Sequence, residues 1–381
     1  MLLMRADAET VIDMSGRLRE RQFMRKSSPR DRFRRFSSRY TARIDACMNE
    51  FFNGKIRDAR LPMIREMFEM LQEYCARKGK RLRPLLMLIS YFGYGGFSSD
   101  AILRIASVLE MMHSFLLIQD DIIDRSPLRR GGKSLHEICG EKYRTMSHNE
   151  NIGSDVSLIL ADILFANSLA IVGDSDIPLR VKNKFIKIFS DTYEITALGQ
   201  VFDILHSHPR KIEHPLETPL EIASMKTAYY TIYYPMLMGY VLSGRDSIRE
   251  KKLIEKFSIP LGLAFQLSDD VKGVFGKESI TGKPSDSDIL EGKFTLLIES
   301  TLRNLAGNER ERFIALFTKK EKSEKDVVRI REMIRKSASL VEVSKLHRGF
   351  VDESCNVLPE LALAEEFRSI LRGLIEIIAV L

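Results

Sequence analysis

The chain has 381 residues, of which 44% are hydrophobic and 29% are charged, and its formal net charge is +7. This composition supports a large packed core and excludes a low-complexity or fibrous protein. The four cysteines are scattered and form no C-x-x-C pair, which disfavours a disulfide framework or a zinc site and favours a reducing, cytoplasmic location. No apolar run reaches the roughly 18 residues that a membrane-spanning helix needs, so no integral membrane segment is predicted.

The first forty residues differ from the rest of the chain in charge. Residues 1–40 contain eleven lysines and arginines against five acids. Such a segment could contact nucleic acid, acidic lipid or an acidic partner, but no aromatic and basic motif of a nucleic-acid-binding fold accompanies it. The acids argue against a transit peptide, and no apolar stretch follows the basic residues as in a secretory signal. We therefore interpret residues 1–40 as a flexible basic extension, expect no nucleic-acid partner, and place a single domain at residues 41–381.

From residue 41 onward, apolar residues recur every three to four positions, which is the period of an α-helix. Helices are predicted, in chain order, at "IREMFEMLQEYC", "ILRIASVLEMMHSFLLIQDDIID", "SDVSLILADILFANSLAIVG", "YEITALGQVFDIL", "MKTAYYTIYYPMLMGYVLSG" and "IPLGLAFQLSDDVKGVF". The third is apolar around its circumference, which predicts a central position in the core. "RSPLRRGGKS" is predicted to be a loop, and "YYTIYYP" is locally strand-prone. The predicted fold class is all-α, a single large helical bundle with a central cavity.

Two acidic motifs lie on two of these predicted helices. In "DDIID", Asp120 and Asp124 are four residues apart and face the same side, with Asp121 beside them. In "FQLSDD", Asp269 and Asp270 form a second pair. Oxygen ligands in small number suit Mg²⁺, which keeps waters and is completed by substrate phosphates. Either motif alone is more typical of a solvated acidic surface, whereas two in one all-α chain favour a metal cluster between facing helices.

Basic motifs flank the first acidic motif. "GKRLRP" precedes it and "LRRGG" follows it, and further lysines stand at Lys226, Lys283 and Lys293. Arginine binds phosphate through its planar fork and lysine binds it as a point charge. Each lysine alone is typical of a surface position. Together with the two basic motifs they outline two anion sites, one with metal and one without.

The order of these motifs resembles that of the trans-isoprenyl diphosphate synthases. Here they read "GKRLRP", "EMMH", "DDIID", "LRRGG", "ADILFA", "GQVFDI", "KTAYY", "FQLSDD", "TGKP" and "EGKFT". The resemblance covers residues 79–295 by motif and leaves residues 1–40 uncovered. It implies an all-α prenyltransferase that condenses isopentenyl diphosphate with an allylic diphosphate. It also implies a homodimer and three Mg²⁺ ions, for which Mn²⁺ can substitute.

The resemblance also implies roles for individual residues. The diphosphate of isopentenyl diphosphate would be held without metal by Lys80, Arg83, His113 and Arg130. Mg²⁺ would be held by Asp120, Asp124 and Asp269. The allylic diphosphate would contact Arg129, Lys226, Lys283 and Lys293. The other catalytic residues would be Asp121, Asp270, Thr227 and Gln266. Without the flanking motifs, His113 would be read as a core histidine.

Product length is predicted to depend on Phe115. This residue precedes Asp120 by five positions, about 7.5 Å along a helix, so its ring could form a floor that stops chain growth. The resemblance implies a small residue here in long-chain members and an aromatic residue in short-chain members. Leu116 is not aromatic and "DDIID" has no insertion, a combination similar to archaeal-type geranylgeranyl diphosphate synthases. The expected product is C20, with C15 second, and Met112 is the next barrier.

One departure from the family pattern and two alternatives remain. The second acidic motif ends in Gly273, where many relatives have a third aspartate, so weaker metal binding is expected there. A terpene cyclase would also ionise an allylic diphosphate at an acidic motif, but it needs no second diphosphate site. A non-catalytic partner subunit would typically have lost acidic residues, and all five aspartates of the two motifs are present.

Overall fold

The structure, a computed structural model, describes residues 27–206, 217–276 and 286–381. Its helices, in chain order, are α1 (Pro29–Asp58), α2 (Pro62–Ala76), α3 (Leu82–Gly93), α4 (Asp100–Ile123), α5 (Leu135–Tyr143), α6 (Ile152–Gly173), α7 (Leu179–His206), α8 (Glu217–Ala223), α9 (Tyr234–Leu242), α10 (Ile248–Phe275), α11 (Ser287–Glu291), α12 (Leu296–Asn304), α13 (Gly307–Phe317), α14 (Glu324–Lys336), α15 (Ser339–Val357) and α16 (Glu365–Ile378). A π-helix (Ser224–Tyr233) joins α8 to α9, and two 3₁₀ turns cover Arg144–Met146 and Leu358–Glu360. The predicted all-α class is confirmed.

Helix α1 begins before the predicted domain boundary. The Ser28 side chain caps its first turn and a proline opens it, as helix N-termini prefer. Phe33 and Phe36 are buried, and Arg30 donates a hydrogen bond of 2.7 Å to a carbonyl of α16. The boundary predicted after residue 40 is therefore wrong, because it cuts a helix that packs against the C-terminal helix. The first 26 residues of the predicted extension lie outside the described residues.

Helix α4 runs through the centre of the larger of two hydrophobic clusters. It is buried on nearly all sides and contacts α1, α2, α3, α5 and α6. Helix α10 belongs to both clusters, since Leu261 packs in the larger one and Leu267 in the smaller one formed with α11 to α15. Because one continuous helix serves both clusters, the second half of the bundle is held in a fixed position relative to α4.

Helix α6 does not lie where its composition predicts. Leu160 and Leu164 are buried, but Leu158, Ile159 and Ile163 on the opposite side are exposed. The prediction of a central core helix is therefore wrong. By length and composition alone, α4 and α6 are apolar enough to cross a membrane, and the apolar stretch of α4 is 72% buried in the fold whereas that of α6 is 39% buried. Core helices pass the same criterion, so it is weak evidence for a membrane segment.

Two irregular segments bring basic residues towards α4. The predicted "RSPLRRGGKS" loop contains an antiparallel hairpin of β1 (Leu128–Arg129) and β2 (Gly132–Lys133). Its turn residues, Arg130 and Gly131, have φ values of 52° and 79°, as a type I′ turn requires. The strand-prone "YYTIYYP" segment is helical and starts within the π-helix, because packing between α7 and α10 overrides local propensity.

Candidate active site

A cavity of about 310 Å³ lies between α4, α7, the π-helix and α10. It collects residues that are up to 213 positions apart in the chain, and many of them are charged or polar groups from the predicted motifs. The predicted site residues that line it are Arg83, His113, Asp120, Lys226, Thr227, Gln266, Asp269, Asp270 and Lys293. The predicted residues Lys80, Asp121, Asp124, Arg129, Arg130, Met112 and Phe115 are not among its lining residues, and Lys283 lies outside the described residues.

Two glycines allow the walls of the cavity to approach each other closely. A Cβ atom on Gly199 of α7 would lie 2.7 Å from the backbone nitrogen of Lys226, and one on Gly262 of α10 would lie 2.5 Å from the Cα of Ala228. Larger residues would therefore push both helices away from the π-helix. This close packing explains why the "GQVFDI" motif begins with glycine. It also fixes the backbone from which the Lys226 side chain faces the cavity.

Asp120 and Asp124, the first and last aspartates of the first acidic motif, lie close together. Asp120 pairs with Arg129 at 3.2 Å and with Lys226 at 3.4 Å. Asp124 lies 3.6 Å from Lys293, and its buried Oδ2 has no hydrogen-bond partner among the described residues. Burial and the nearby Asp120 carboxylate raise the pKa of Asp124. Two crowded carboxylates with an unsatisfied oxygen are a favourable environment for a cation.

Asp121 faces the other way, because the next residue of an α-helix is rotated by about 100°. Its side chain is fully buried and accepts hydrogen bonds from the Tyr74 hydroxyl at 2.8 Å and from Arg129 Nε at 2.6 Å. The structure therefore does not bring Asp121 into the cavity with the other predicted catalytic residues. Its carboxylate instead fixes the direction of Arg129, whose guanidinium reaches Asp120.

The second acidic motif is connected to the π-helix by a chain of hydrogen bonds. Thr227 Oγ1 donates to Gln266 Oε1 at 2.6 Å, and Gln266 Nε2 donates to Asp270 Oδ1 at 2.6 Å. Burial, with a further contribution from the Asp288 carboxylate, raises the pKa of Asp270 to about 8. Asp269 is exposed at the cavity. The two aspartates therefore differ: Asp269 is accessible to solvent and ligands, whereas Asp270 anchors the amide of Gln266.

The space left by the missing third aspartate of this motif is filled by another acid. A Cβ atom placed on Gly273 would overlap with the carboxylate of Asp288. Asp288 belongs to α11 and lines the cavity. The sequence analysis missed it because "PSDSD" is typical of a turn. A negative charge is thus retained beside the second motif, although a different helix supplies it.

The side of the cavity that Arg83 lines, which we call the cationic side, also contains His113 and Tyr230. The Arg83 guanidinium carbon lies 3.8 Å from the Tyr230 ring centroid, and Nη2 donates to Thr231 Oγ1 at 2.8 Å. The buried Nε of Arg83 has no hydrogen-bond partner in the described part of the chain. The Tyr230 hydroxyl lies 2.5 Å from His113 Nδ1. Burial and Arg83 lower the pKa of His113 well below its usual range, so the imidazole is neutral at pH 7.

The other two predicted ligands of this side lie next to Arg83. Arg130 is close to the "GKRLRP" segment, since a Cβ atom on Gly79 would lie 3.0 Å from its guanidinium. Lys80 is exposed, with Nζ 5.4 Å from the Phe265 ring centroid. The structure thus brings the cations of the two basic motifs to one region.

Two lysines stand between the acidic motifs, each held by a carboxylate that the sequence analysis did not assign. Lys226 Nζ lies 2.7 Å from Asp203 of the "GQVFDI" motif, and Lys293 Nζ lies 2.6 Å from Glu291. Burial lowers the pKa of both lysines, but nearby carboxylates outweigh it and the pKa of each is raised. Both therefore remain charged. Both acids lie inside quoted motifs, Asp203 in "GQVFDI" and Glu291 in "EGKFT", but the sequence analysis gave neither a role.

The predicted product-length residues are buried below the cavity wall. Phe115 and Met112 are each 2% exposed. The Phe115 ring centroid lies 5.2 Å from that of Phe165 and 5.3 Å from that of Tyr193. The neighbouring Leu116 lines the cavity directly. Any floor at this depth therefore consists of three aromatic rings. That Phe115 is the ring that limits product length stays a prediction.

The residues present fit a magnesium site. Among the described residues no three acidic, histidine or cysteine side chains converge closely enough to hold an ion by themselves. Mg²⁺ usually takes one or two carboxylates and completes its shell with waters and substrate phosphates. Asp120 and the exposed Asp269 line the cavity and supply carboxylates of this kind. Asp124 beside Asp120 supplies a third, whose Oδ2 lies 3.6 Å from Lys293 and accepts no hydrogen bond from the described residues.

Comparison with known proteins agrees with this geometry. Residues 64–334 match the model of the polyprenyl synthetase family. A geranylgeranyl diphosphate synthase of Saccharolobus solfataricus is 31% identical over 291 residues, covering 76% of this chain and 82% of that protein. A geranylfarnesyl diphosphate synthase of Aeropyrum pernix is 29% identical, covering 79% and 89%.

Solved structures give the same result. The geranylgeranyl pyrophosphate synthase of Corynebacterium glutamicum, complexed with isoprenyl diphosphate and magnesium, superposes with a TM-score of 0.83 at 25% identity, covering 90% of this chain and 99% of that one. An all-α bundle with facing acidic motifs is the architecture of the isoprenoid synthases. This chain belongs to the polyprenyl synthetase family. It is a trans-prenyltransferase.

Proposed function

We propose that the protein condenses isopentenyl diphosphate with an allylic diphosphate and makes a short-chain all-trans prenyl diphosphate. The observation that carries this proposal is the pairing of two unlike anion sites on one cavity. Asp120 and Asp269 can hold a diphosphate through Mg²⁺, whereas Arg83 and His113 lie on a cationic side that needs no metal. The similar structure from Corynebacterium glutamicum was obtained with isoprenyl diphosphate and magnesium, which supports the same pair of ligands here.

The side chains of the cavity suit ionisation followed by condensation. When bound, Mg²⁺ would neutralise the charge that develops on the departing diphosphate. Lys226 and Lys293 are charged and point into the same space, so they stabilise that charge directly. Thr227 and Gln266 present oxygens to the allylic cation without a strong nucleophile that would trap it. The double bond of isopentenyl diphosphate forms the new C–C bond, and the proton lost afterwards passes to the departing diphosphate.

We propose geranylgeranyl diphosphate (C20) as the main product, with C15 second. Phe115 forms an aromatic cluster with Phe165 and Tyr193, and the next residue, Leu116, lines the cavity. We infer that this cluster limits the length of the product. Similar proteins include synthases named for C20 products and one named for geranylfarnesyl diphosphate. The aromatic floor favours the shorter of these, since a ring limits the length of the cavity.

We propose a homodimer that buries the exposed face of α6. Leu158, Ile159 and Ile163 of α6 are exposed, as are Val201 and Phe202 of α7. Exposed apolar side chains of this kind often mark a protein interface, and a second copy is the partner that family resemblance implies. Light scattering coupled to gel filtration measures the mass in solution. A mass near 87 kDa, twice the 43.7 kDa of the chain, supports the dimer, and a fully active monomer contradicts it.

We also propose a cytoplasmic location. All four cysteines are free, and reduced cysteines are usual in that compartment. Fractionation of cells that express the natural gene, followed by immunodetection, tests this. Recovery of the protein in an oxidising compartment would contradict the proposal.

A single assay tests the reaction. Purified protein is incubated with Mg²⁺, isopentenyl diphosphate and one allylic primer at a time, and the products are separated by chromatography. Linear prenyl diphosphates, chiefly C20, are expected. Cyclised hydrocarbons formed without isopentenyl diphosphate would indicate a terpene cyclase. Absence of any product, restored only by an active synthase, would indicate a partner subunit.

A further inference from the structure

One buried acid lies behind the cationic side of the cavity and has no role in the reaction described above. Glu110 is on α4, three residues before His113, and is 1% exposed. Its Oε1 accepts a hydrogen bond of 2.5 Å from Arg81 Nη1 and one of 3.1 Å from Arg130 Nη2. One carboxylate oxygen thus joins two arginines that belong to segments almost fifty residues apart.

Both arginines lie in segments with an uncommon backbone. Arg81 and Arg130 have φ values of 47° and 52°, in the left-handed region that residues other than glycine rarely adopt. We call residues 78–81 the Lys80 loop and residues 129–132 the Arg130 turn. Backbone of this kind persists only when surrounding contacts hold it in place. For both segments, Glu110 is one such contact.

The two segments carry the cations proposed to hold a diphosphate without metal. The Lys80 loop contains Lys80 and leads directly into Arg83, and the Arg130 turn contains Arg130. They meet at Gly79, which is adjacent to the Arg130 guanidinium. Because Arg81 and Arg130 both donate to the same buried oxygen of Glu110, their positive charges lie close together and repel each other. Glu110 compensates this repulsion while no substrate is bound.

Glu110 has a second acid as neighbour in this network, but that acid acts differently. Asp45 of α1 pairs with Arg81 Nε at 2.9 Å and its side chain is 34% exposed. Within the described part of the chain, Asp45 pairs with Arg81, whereas Glu110 pairs with an arginine of each segment. Arg81 also donates to the carbonyls of Cys75 and Arg77. Arg81 is therefore held from several sides. Arg77, which directly precedes the Lys80 loop, also donates to the Arg129 carbonyl at 3.1 Å, but Glu110 is the carboxylate that pairs with one arginine of each segment.

We propose that Glu110 is a positioning residue that holds the Lys80 loop and the Arg130 turn in the arrangement that binds the diphosphate of isopentenyl diphosphate. The proposal rests on the proposed function. Glu110 does not line the cavity, so it acts through Arg81 and Arg130 and touches no substrate. Its loss acts first on the metal-free site, because its two hydrogen bonds come from Arg81 and Arg130, whereas Arg129 of the same turn is held by Asp120 and Asp121.

The test measures binding of isopentenyl diphosphate in EDTA by isothermal titration, with wild type compared with Glu110→Gln. EDTA removes the contribution of the metal-dependent site. Loss of a charged hydrogen-bond acceptor predicts a Kd that is roughly tenfold to a hundredfold higher. In the Mg²⁺ assay, KM for isopentenyl diphosphate should rise similarly, whereas KM for the allylic diphosphate should stay within about twofold of wild type.

Glu250→Gln is the matched control. Glu250 is also a buried glutamate with two hydrogen bonds, from the Tyr94 hydroxyl and the Ala362 nitrogen, and it does not line the cavity. The same substitution there should leave Kd for isopentenyl diphosphate unchanged. Equal effects of the two substitutions, or an unchanged Kd in folded Glu110→Gln, overturn the proposal.

A milder variant decides the question if Glu110→Gln does not fold. Glu110→Asp keeps the charge but shortens the side chain, so it should raise Kd for isopentenyl diphosphate by more than Glu250→Asp does. A Kd no higher than that of Glu250→Asp overturns the proposal. Failure of the proposed function would look different, because wild type itself would then form no prenyl product.

Discussion

The acidic and cationic sides of the cavity are built in different ways. On the acidic side, Asp120 and Asp124 already pair with Arg129, Lys226 and Lys293, so a metal and a diphosphate must compete with existing ion pairs. On the cationic side, Arg83 stacks on Tyr230 and keeps a buried Nε without a partner among the described residues. The ion pairs of the acidic side must rearrange when metal binds, whereas the contacts of the cationic side are already formed before a ligand binds.

The largest effect should follow from breaking the acidic side. Asp120→Asn removes a carboxylate that faces the cavity and pairs with two cations. Turnover should fall by about 100- to 1000-fold, since stabilisation of charge on the leaving group is lost. Initial rates with saturating substrates measure this, and EDTA should have at least the same effect on wild type. Binding of isopentenyl diphosphate in EDTA serves as the control and should not change.

A change on the cationic side should have a smaller and more selective effect. Arg83→Lys keeps a positive charge but loses the planar group that stacks on Tyr230 and bonds to Thr231. KM for isopentenyl diphosphate should rise roughly tenfold, while KM for the allylic diphosphate stays nearly constant. Steady-state kinetics with each substrate varied in turn measure both constants. A parallel rise in both would show that the two sides are not separate.

Gly273 allows a test of the carboxylate that replaces the missing aspartate. Gly273→Ala would overlap with Asp288 and displace it, so the Mg²⁺ concentration for half-maximal rate should rise several-fold. Gly349→Ala is the matched control, because a Cβ atom there meets no neighbour within 4 Å. Titration of activity with MgCl₂ compares the two. Identical curves would mean that Asp288 contributes nothing to metal binding.

Phe115→Ala should change the product more than the rate. Removing one ring of the cluster with Phe165 and Tyr193 opens space below Leu116, so products should lengthen by one or more C5 units. The substitution should also lower the free energy of unfolding by about 3–5 kcal/mol, which thermal or denaturant unfolding measures. Unchanged product length in a folded variant would show that Phe115 does not limit chain growth.

The smallest effect is expected at the N-terminus. Every cavity-lining residue lies at or beyond Arg83, so deletion of residues 1–26 should change turnover by less than about twofold. Deletion of residues 1–40 should instead lower the melting temperature, because Phe33, Phe36 and the Arg30 bond to α16 are lost. Differential scanning calorimetry and the standard assay compare the two truncations. Equal stability would show that the first turns of α1 do not support the fold.

The helices and most cavity residues could be predicted from sequence because their signals are local. A helical period and a fixed order of motifs are visible without any tertiary information. The burial of Asp121, the exposure of α6 and the position of Asp288 could not be predicted in the same way. The burial of Asp121 and the exposure of α6 depend on which side of a helix meets another element. The position of Asp288 depends on the contact between α10 and α11. Tyr230 and Glu110 lie inside the quoted motifs "KTAYY" and "EMMH", but only the structure shows what their side chains contact.

The separation of the two sides is tested most directly by one titration of wild-type protein. Isopentenyl diphosphate and an allylic diphosphate analogue that cannot ionise are each titrated calorimetrically, first in EDTA and then with Mg²⁺. The account predicts that isopentenyl diphosphate binds with similar affinity in both conditions, whereas the allylic analogue binds tightly only with Mg²⁺. Equal dependence of both ligands on Mg²⁺ would contradict the account, because the cavity would then hold no metal-free diphosphate site.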